Sequence, residues 1–205
     1  LCSFDAEFLA VPHKALIASM QDHQKFFPVA ETNTDASTCT GGADRISNRF
    51  IAIANLDSTD PEQVRQGFER VIRPRLADAR FFLEQDQKKP LVDYADALDN
   101  VIFQNKIGSL GDKSRRMAVI SEQLAADFNI DPESARRAAV LAKCDLLSQM
   151  VGEFPELQGY MGQQYALHSG EDPSVAAAIE EYYQPRFAGD VIPASKAGQL
   201  LSLAD

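Results

Sequence analysis

The sequence has 205 residues, of which 45% are hydrophobic, and a formal net charge of −10. This length suffices for one large domain or two small ones, each with a buried core. The negative charge excludes a protein whose whole surface coats nucleic acid, because phosphate binding depends on neutralisation by lysine and arginine.

The sequence pattern shows neither a membrane segment nor an export signal. No run of eighteen apolar residues occurs, and the N-terminal residues lack both an initiator methionine and the basic and then apolar order of a signal peptide. Residues 197–205 are typical of a helix that stops without a C-terminal cap. We therefore expect a soluble, cytoplasmic protein that has no membrane partner and is cut from a longer chain.

The first part of the chain mixes helix and strand patterns. A helix is predicted over residues 14–23, and strands are predicted over residues 26–29 and 50–54. A polar loop of about twenty residues, which runs through Gly42, joins the two strands. Loops this long are uncommon in a compact domain. We expect a small α/β unit whose loop is either mobile or held by a partner.

A long helix is predicted next. Asp60-Pro61-Glu62 supplies an N-cap acceptor and a proline at the first helical position. Apolar residues then recur at three- and four-residue steps toward Phe82. Pro74 lies inside this pattern and removes one backbone hydrogen bond, so a kinked helix is predicted.

Beyond Pro90 the pattern is wholly helical. One apolar stripe consists of Met117, Ile120, Leu124 and Phe128. Further helix starts are Asp131-Pro132-Glu133, which opens a helix through about Met150, then Asp172-Pro173, and then Pro193. The predicted fold class is therefore mainly α. An α/β unit with the kinked basic helix covers residues 1–90, and an all-helical domain that is truncated at its C-terminal end covers residues 91–205.

Basic residues cluster in this acidic chain. Residues 61–89 contain seven basic side chains against five acidic ones. The candidates to grip RNA phosphates with paired guanidinium donors are Arg70, Arg73, Arg75 and Arg80. The alternative is ordinary pairing on the helix surface, since Glu69 lies four residues before Arg73 and Asp78 three residues after Arg75. The tRNA-binding hypothesis depends on the positive groups being gathered on one face of this anionic chain.

A second basic cluster consists of Lys106, Lys113, Arg115 and Arg116, with only Asp112 against them. Cations at a helix start oppose the helix dipole, and a bound anion would offset that cost. This makes Lys113, Arg115 and Arg116 further candidates for tRNA binding. The alternative is that Asp112 caps the helix and the cations point into water.

The cysteines do not indicate a disulfide framework or a zinc site. Cys2, Cys39 and Cys144 share no short spacing and lie far from any histidine pair. Nothing near Cys144 in sequence would activate its thiol, so this residue is predicted to be a small buried hydrophobe.

A series of short sequence motifs occurs in a fixed order along the whole chain. They include Ser3-Phe4-Asp5, His23-Gln24-Lys25-Phe26-Phe27-Pro28-Val29, Arg73-Pro74-Arg75-Leu76-Ala77-Asp78-Ala79, Gly108-Ser109-Leu110, Lys143-Cys144-Asp145-Leu146, Leu157-Gln158-Gly159 and Phe187-Ala188-Gly189-Asp190. In this order they resemble the β subunit of the bacterial two-subunit glycyl-tRNA synthetase. The resemblance departs at Phe68, where the family usually carries asparagine, so a polar role of that position does not carry over.

The resemblance implies a glycine–tRNA ligase of two α and two β subunits that uses ATP and glycine. In this family the α subunit carries the aminoacylation site, with its ATP and Mg²⁺, and the β subunit recognises tRNA. The resemblance therefore implies that this chain contributes tRNA binding and subunit organisation. Its implied partners are tRNA-Gly and the α subunit, and it is expected to hold no cofactor and to have no catalytic activity alone.

The helical part also resembles the HD-domain fold. Its metal phosphohydrolases place a histidine, a histidine-aspartate pair and a later aspartate around divalent ions. Here Cys144-Asp145 replaces the pair, Lys143 precedes it, and Asp205 corresponds to the late aspartate. An ammonium group opposes cation binding, so no bound catalytic metal is expected. All three histidines of the sequence lie outside the positions that such a site needs. They are His13, His23 and His168.

Two side-chain roles and three functional classes stay open. Asp145 is either a relic of a metal ligand or an acceptor buried against neighbouring helix ends or Lys113. Tyr182 and Tyr183 either stack an unpaired 3′-terminal base or belong to the core, which helical spacing from Ile179 favours for Tyr182. The classes are an RNA-binding part of a ligase, a structural spacer that supports the α subunit, and an HD-type metal phosphohydrolase.

Overall fold

The computed structural model describes residues 1–31, 45–55, 57–104 and 106–205. Within these residues the chain forms two compact units, Leu1–Glu84 and Gln85–Asp205. The domain boundary predicted near Pro90 stays a prediction. Cys39, most of the predicted polar loop and the side chain of His23 lie outside the described part.

The first unit is built on a three-stranded antiparallel sheet. Its strands are β1 (Cys2–Ser3), β2 (Phe27–Ala30) and β3 (Ile46–Ile51), and β3 lies between the other two. The helix α1 (His13–Gln24) confirms the helix predicted over residues 14–23. The second predicted strand lies earlier than residues 50–54, because pairing with both neighbours uses residues 46–51.

Aromatic side chains fill the core beside this sheet. Phe50 is fully buried in the central strand, and its ring stacks on Phe26 with 5.0 Å between the ring centres. Phe68 meets Phe26 edge to face, with 5.6 Å between the ring centres. Phe68 therefore packs as an apolar residue at the position where the resembling family usually carries asparagine.

The helix α2 (Pro61–Asp86) begins where the capping signal predicts, and the Asp60 carboxylate accepts from the N–H of Gln63 at 3.1 Å. It continues through Pro74 and beyond Phe82. The kink predicted at Pro74 stays a prediction. In the described part of the chain, no helix, α2 included, is long and apolar enough to cross a membrane.

The second unit is mainly helical. Its helices are α3 (Leu110–Leu124), α4 (Pro132–Leu141), α5 (Gln149–Glu153), α6 (Tyr160–His168), α7 (Pro173–Glu181) and α8 (Lys196–Ala204). Short 3₁₀ helices cover Leu91–Tyr94, Asp96–Asn100, Cys144–Leu147 and Pro155–Leu157. An antiparallel pair, β4 (Ile102–Gln104) and β5 (Gly108–Ser109), precedes α3. The mainly α fold class, with a small sheet-containing unit first, is confirmed, and the β4–β5 pair adds to the predicted helices.

The helix predicted through about Met150 is wrong in its second half. The helix α4 stops at Leu141, and α5 starts anew after a 3₁₀ helix. The Ser148 hydroxyl donates to the carbonyl of Asp145 at 2.7 Å and accepts from the N–H of Val151 at 3.2 Å. Ser148 is thus the N-cap of α5, and its side-chain bonds to the backbone compete with a continuous helix.

The helix α3 begins with a reciprocal capping box. The Ser109 hydroxyl accepts from the N–H of Asp112 at 3.0 Å, and the Asp112 carboxylate accepts from the N–H of Ser109 at 2.9 Å. Asp112 therefore takes part in the cap as predicted, as the third residue of the helix, while Ser109 is the N-cap. Met117 in the predicted apolar stripe is buried, whereas Ile120 is 39% exposed.

Candidate functional site

Asp145 places a carboxylate in the interior of the second unit. It lies in the 3₁₀ helix Cys144–Leu147 and is fully buried. Its Oδ2 accepts from the N–H groups of Gly159 at 2.6 Å and Gly162 at 3.1 Å. Its Oδ1 has no hydrogen-bond partner among the described residues. The carboxylate therefore satisfies backbone donors at the N-terminal end of α6, where a helix carries unpaired N–H groups.

Burial raises the pKa of Asp145 to about 6, although the N–H donors and the charge of Lys143 act to lower it. Gly162 allows the close approach, because a Cβ there would lie 3.1 Å from the Asp145 carboxyl carbon and 2.7 Å from Cγ2 of Ile179. Asp145 thus occupies the place predicted for an acceptor against a neighbouring helix end. Lys113, the other predicted partner, bonds to a different carboxylate.

That carboxylate belongs to Asp205, which two lysines share. Nζ of Lys143 lies 3.0 Å from its Oδ1, and Nζ of Lys113 lies 3.0 Å from its Oδ2. Burial lowers the pKa of Lys143, and Asp205 opposes this shift. Burial raises the pKa of Asp205, but the two ammonium groups outweigh burial and hold it below its usual value. The lysines therefore tie α3 and the end of α4 to the residue that follows α8.

The positions that correspond to HD-enzyme ligands do not fit a divalent metal. Both oxygens of Asp205 are bound by ammonium groups, and Oδ2 of Asp145 is occupied by backbone donors. Cys144 is buried as predicted, and burial raises the pKa of its thiol to about 12. Across the described residues, no group of three or more His, Cys, Asp or Glu side chains could hold a metal ion.

Tyr182 and Tyr183 pack against each other with 4.1 Å between their ring centres. Tyr182 is buried, which confirms the core prediction, and its hydroxyl donates to the carbonyl of Ala142 at 3.1 Å. Tyr183 is half-buried, and Nζ of Lys143 lies 5.0 Å from its ring centre. Burial raises the pKa of both tyrosines. Tyr182 therefore belongs to the interior, and Tyr183 is half-buried beside it and Lys143.

Three of the four candidate arginines on α2 share one side of the helix, and Arg75 lies on the other side. Successive residues lie about 100° apart around a helix axis, so Arg73 and Arg75 diverge by about 160°. Arg70 and Arg75 are exposed and make no ion pair with a described residue. The expectation that one face gathers all four positive groups does not hold on this helix.

The other two candidates on α2 are paired on the surface of the first unit. Arg73 pairs with Asp5, a carboxylate outside the helix, and not with the predicted Glu69. Arg80 pairs with Glu7 at 2.9 Å and with Glu84 at 2.8 Å. These guanidinium groups already have anionic partners within the chain.

The second basic cluster is also partly neutralised. Arg115 pairs with Asp99 and with Asp112, each at 2.8 Å. Lys113 is held by Asp205. Arg116 is exposed and makes no ion pair with a described residue. Arg116 is therefore the candidate of this helix start whose charge is available to a ligand.

Sequence reasoning missed the buried carboxylate of Asp86 at the end of α2. It accepts from the N–H groups of Gln149 at 2.8 Å and Met150 at 3.0 Å and from the Tyr165 hydroxyl at 2.7 Å. The partners lie 63 to 79 residues later in the chain, beyond the reach of a local motif. The one available signal is that Asp86 follows Leu83 by three residues on the apolar side of the helix.

Comparison with known proteins gives a consistent match along the whole chain. A family model described as glycyl-tRNA synthetase beta subunit matches residues 1–205. The glycine–tRNA ligase beta subunit of Ralstonia nicotianae is 48% identical over 204 residues, which cover 100% of this chain and 28% of that protein. The corresponding proteins of Psychromonas ingrahamii and Xylella fastidiosa strain M12 are 47% identical over 203 and 205 residues, covering 99% and 100% of this chain and 28% and 27% of their own length.

Proposed function

This chain belongs to the glycyl-tRNA synthetase β-subunit family, and we propose that it serves the attachment of glycine to tRNA-Gly as one part of that subunit. The observation that carries the proposal is the family match over residues 1–205, together with 48% identity to a relative over 204 residues. The chain spans 28% of that relative's length. The activity, the substrates and the partners of the whole protein are therefore proposed for it.

The proposed contribution of this chain is RNA binding and subunit organisation, without chemistry of its own. ATP and Mg²⁺ are assigned to the α subunit of a cytoplasmic heterotetramer with two α and two β subunits. The surroundings of Asp145 and Asp205 support the proposal that this chain carries out no chemistry. Backbone donors bind one oxygen of Asp145, and lysines bind both oxygens of Asp205. Both oxygens of Asp205 are paired with lysines, and the one unpartnered oxygen of Asp145 is fully buried, where a substrate does not reach it.

Three exposed arginines are proposed as separate phosphate contacts and not as one basic face, because Arg70 and Arg75 lie about 140° apart around α2. Arg70, Arg75 and Arg116 make no ion pair with a described residue, so no carboxylate must be displaced before a phosphate binds. Guanidinium groups suit phosphate oxygens because they offer paired donors. The four paired candidates, Arg73, Arg80, Lys113 and Arg115, would each first have to leave a carboxylate partner.

The test is tRNA-Gly binding by the complete two-subunit enzyme that carries Arg70→Ala, Arg75→Ala and Arg116→Ala together. We expect weaker binding and a smaller dependence of affinity on salt, by about one unit of log–log slope for each phosphate group that is no longer neutralised. The matched control is Arg65→Ala, because Glu62 and Glu69 hold that guanidinium on the same helix. The control enzyme should bind like the parent.

Two results would contradict the RNA-binding role. Unchanged affinity and salt slope in the triple variant would remove these arginines from the interface. A footprint of tRNA-Gly on the complete enzyme that protects no residue of this chain would remove RNA binding from its function.

An apolar loop supports the proposed role in subunit organisation. Between α7 and α8, Phe187, Val191 and Ile192 are 69%, 64% and 69% exposed. Asp190 fixes this loop, since its carboxylate accepts from the N–H of Arg186 at 2.7 Å and from the N–H of Val191 at 2.8 Å. Large apolar side chains on an ordered surface segment are typical of protein–protein interfaces.

The organising role is tested by measuring assembly with the α subunit in sedimentation experiments. We expect the Phe187→Ser and Ile192→Ser double variant to lose heterotetramer while tRNA binding by the β subunit persists. The matched control is Leu203→Ser, a 72% exposed leucine in the same unit. A fully assembled double variant would exclude this loop from the subunit interface.

A further inference from the structure

The apolar loop between α7 and α8 (residues 187–192) begins with a closed turn. The N–H of Asp190 donates to the carbonyl of Phe187 at 3.1 Å, and Gly189 inside the turn has a φ of +89°. A positive φ at the third residue is typical of a type II turn, and glycine adopts it most readily. The Asp190 carboxylate also accepts from the N–H of Arg186 at 2.7 Å. The turn and the residue before it therefore form one ordered piece of chain.

The Arg186 side chain fastens this turn to the rest of the second unit. Its guanidinium group donates to the carbonyl of Gln158 at 3.3 Å, just before α6. The guanidinium carbon lies 5.9 Å from the ring centre of Tyr183, within the range of a cation–π contact. That ring packs directly against Gly159. Arg186 thus ties the start of the apolar loop to the chain at the start of α6.

Pro193 anchors the other end of the apolar loop. It is buried, and its carbonyl accepts from the side-chain amide of Gln199 at 2.9 Å. Between the two anchors, Phe187, Val191 and Ile192 are exposed. A loop that is ordered before it binds loses less conformational freedom on docking, and this increases affinity.

The composition of the apolar loop favours a protein partner over RNA. Residues 187–192 contain three large apolar side chains, one aspartate and neither lysine nor arginine. Phosphate binding depends on cations, whereas the buried centre of a protein interface is apolar and poor in charge. The Asp190 carboxylate already accepts from the N–H groups of Arg186 and Val191, so it stays hydrogen-bonded when a protein covers the loop.

We propose that Arg186 is a positioning residue that holds the apolar loop in the conformation that docks on the α subunit. The inference rests on the proposed role of this loop in subunit organisation, and it deepens that role by naming the residue on which the docking conformation depends. Arg186 makes no ion pair with a described residue. Its contacts with Gln158 and Tyr183 lie within this chain, so they are formed before the partner arrives.

The experiment measures the affinity of the complete β subunit for the α subunit by sedimentation, at low and at high salt. We expect Arg186→Met to weaken assembly by about five- to thirtyfold, the cost of ordering one or two side chains on binding. The loss should be equal at both salt concentrations, because the guanidinium group acts within its own chain. Arg186→Lys keeps a donor and a positive charge for Tyr183, so it should lose less affinity than Arg186→Met.

A double-mutant cycle tests whether Arg186 acts through the apolar loop. Phe187→Ser and Ile192→Ser together weaken docking directly, so adding Arg186→Met to them should cause little further loss. Fully additive losses overturn the proposal, because Arg186 then acts independently of the loop. The matched control is Arg136→Met, which removes a 64% exposed side chain that lies 3.8 Å from Glu122 in the same unit. The control should assemble like the parent.

Failure of this inference can be distinguished from failure of the proposed function. Full assembly of the Phe187→Ser and Ile192→Ser double variant removes the loop from the subunit interface, and the inference fails with that role. Loss of assembly in the double variant together with parent-like assembly of Arg186→Met overturns the inference alone. A loss in Arg186→Met that disappears at high salt also overturns it, because Arg186 then meets the α subunit directly. Separation of two β subunits that each keep the α subunit overturns it as well, because the loop then docks on a second copy.

Discussion

At the scale of single residues, Asp145 combines complete burial with one unpartnered oxygen. A buried charge is costly unless hydrogen bonds and opposite charges satisfy it. Among the described residues only Oδ2 has donors, from Gly159 and Gly162, and burial raises the pKa of the carboxyl to about 6. The ionised form therefore destabilises the fold relative to the protonated form.

We predict that Asp145 makes the folded protein less stable as pH rises from about 4 to about 6. The pKa is about 6 in the folded protein and about 3.9 in an unfolded chain, so the folded state holds more protons in this window. The stability contributed by protonation is present below about pH 4 and is lost as pH rises through 6, on the order of 2–3 kcal/mol. Urea unfolding at a series of pH values measures it.

Asp145→Asn is the comparison for this titration, because the amide keeps an oxygen for Gly159 and Gly162 but carries no charge. The difference in the free energy of unfolding between variant and parent should shift in favour of the variant across the window. Parallel pH curves for the two proteins would show that Asp145 does not titrate there.

Gly159 and Gly170 form a matched pair for a second prediction. Both have positive φ angles, +81° and +80°, which side chains other than glycine disfavour. A Cβ at Gly159 would lie 2.5 Å from the ring of Tyr183, whereas a Cβ at Gly170 meets no described atom within 4 Å. We expect Gly170→Ala to cost about 1 kcal/mol and Gly159→Ala about 3 kcal/mol or more in urea unfolding. Equal costs would mean that the Tyr183 ring moves away freely.

At the scale of elements, Lys143 joins the end of α4 to the residue after α8 through Asp205. Removing one partner of a buried ion pair lowers the free energy of unfolding by about 3–5 kcal/mol, and exposure of the pair to solvent reduces this loss. The Asp205 side chain is 28% exposed, so we expect Lys143→Met to lower the free energy of unfolding by about 2 kcal/mol. Lys113→Met is the control, and it should cost less because its side chain is more exposed, at 14% against 9%. A larger loss in the control would reverse this assignment.

Helix starts were predictable from the sequence because capping bonds are local. Asp131 accepts from the N–H of Ser134, and Asp172 accepts from the N–H of Ser174, so each signal lies within three residues. The end of α4 was predicted wrongly, since the N-cap role of Ser148 is hidden in an apolar helical pattern. A pattern of polarity does not distinguish one long helix from two shorter ones.

The bonds of the candidate site were less predictable, because they join distant parts of the chain. Asp145 meets its donors 14 and 17 residues later, and Lys113 meets Asp205 across 92 residues. The sequence indicated that the positive charge of Lys143 disfavours metal binding, but it did not show which carboxylate the lysine binds. Local pairing rules likewise suggested Glu69 for Arg73, whereas the partner is Asp5 across 68 residues.

At the scale of the whole molecule, the described residues form two compact units, Leu1–Glu84 and Gln85–Asp205. Each unit has its own buried residues, such as Phe50 in the first and Met161 in the second. Compact units with separate cores often open independently in hydrogen exchange.

We predict that Gly159→Ala accelerates amide exchange in the second unit and leaves β3 and α1 of the first unit unchanged. The substitution strains the packing around Tyr183, which lies in the second unit. Hydrogen exchange followed by mass spectrometry measures it, with Gly170→Ala as the control for a mild change. Acceleration throughout both units would show one cooperative domain and would contradict separate units.

The Lys113–Asp205–Lys143 tie has a consequence for the living cell. The three side chains that hold these helices together are made by the ribosome along with the rest of the polypeptide. Asp205 comes 92 residues after Lys113, so this connection closes only after α8 has been synthesised.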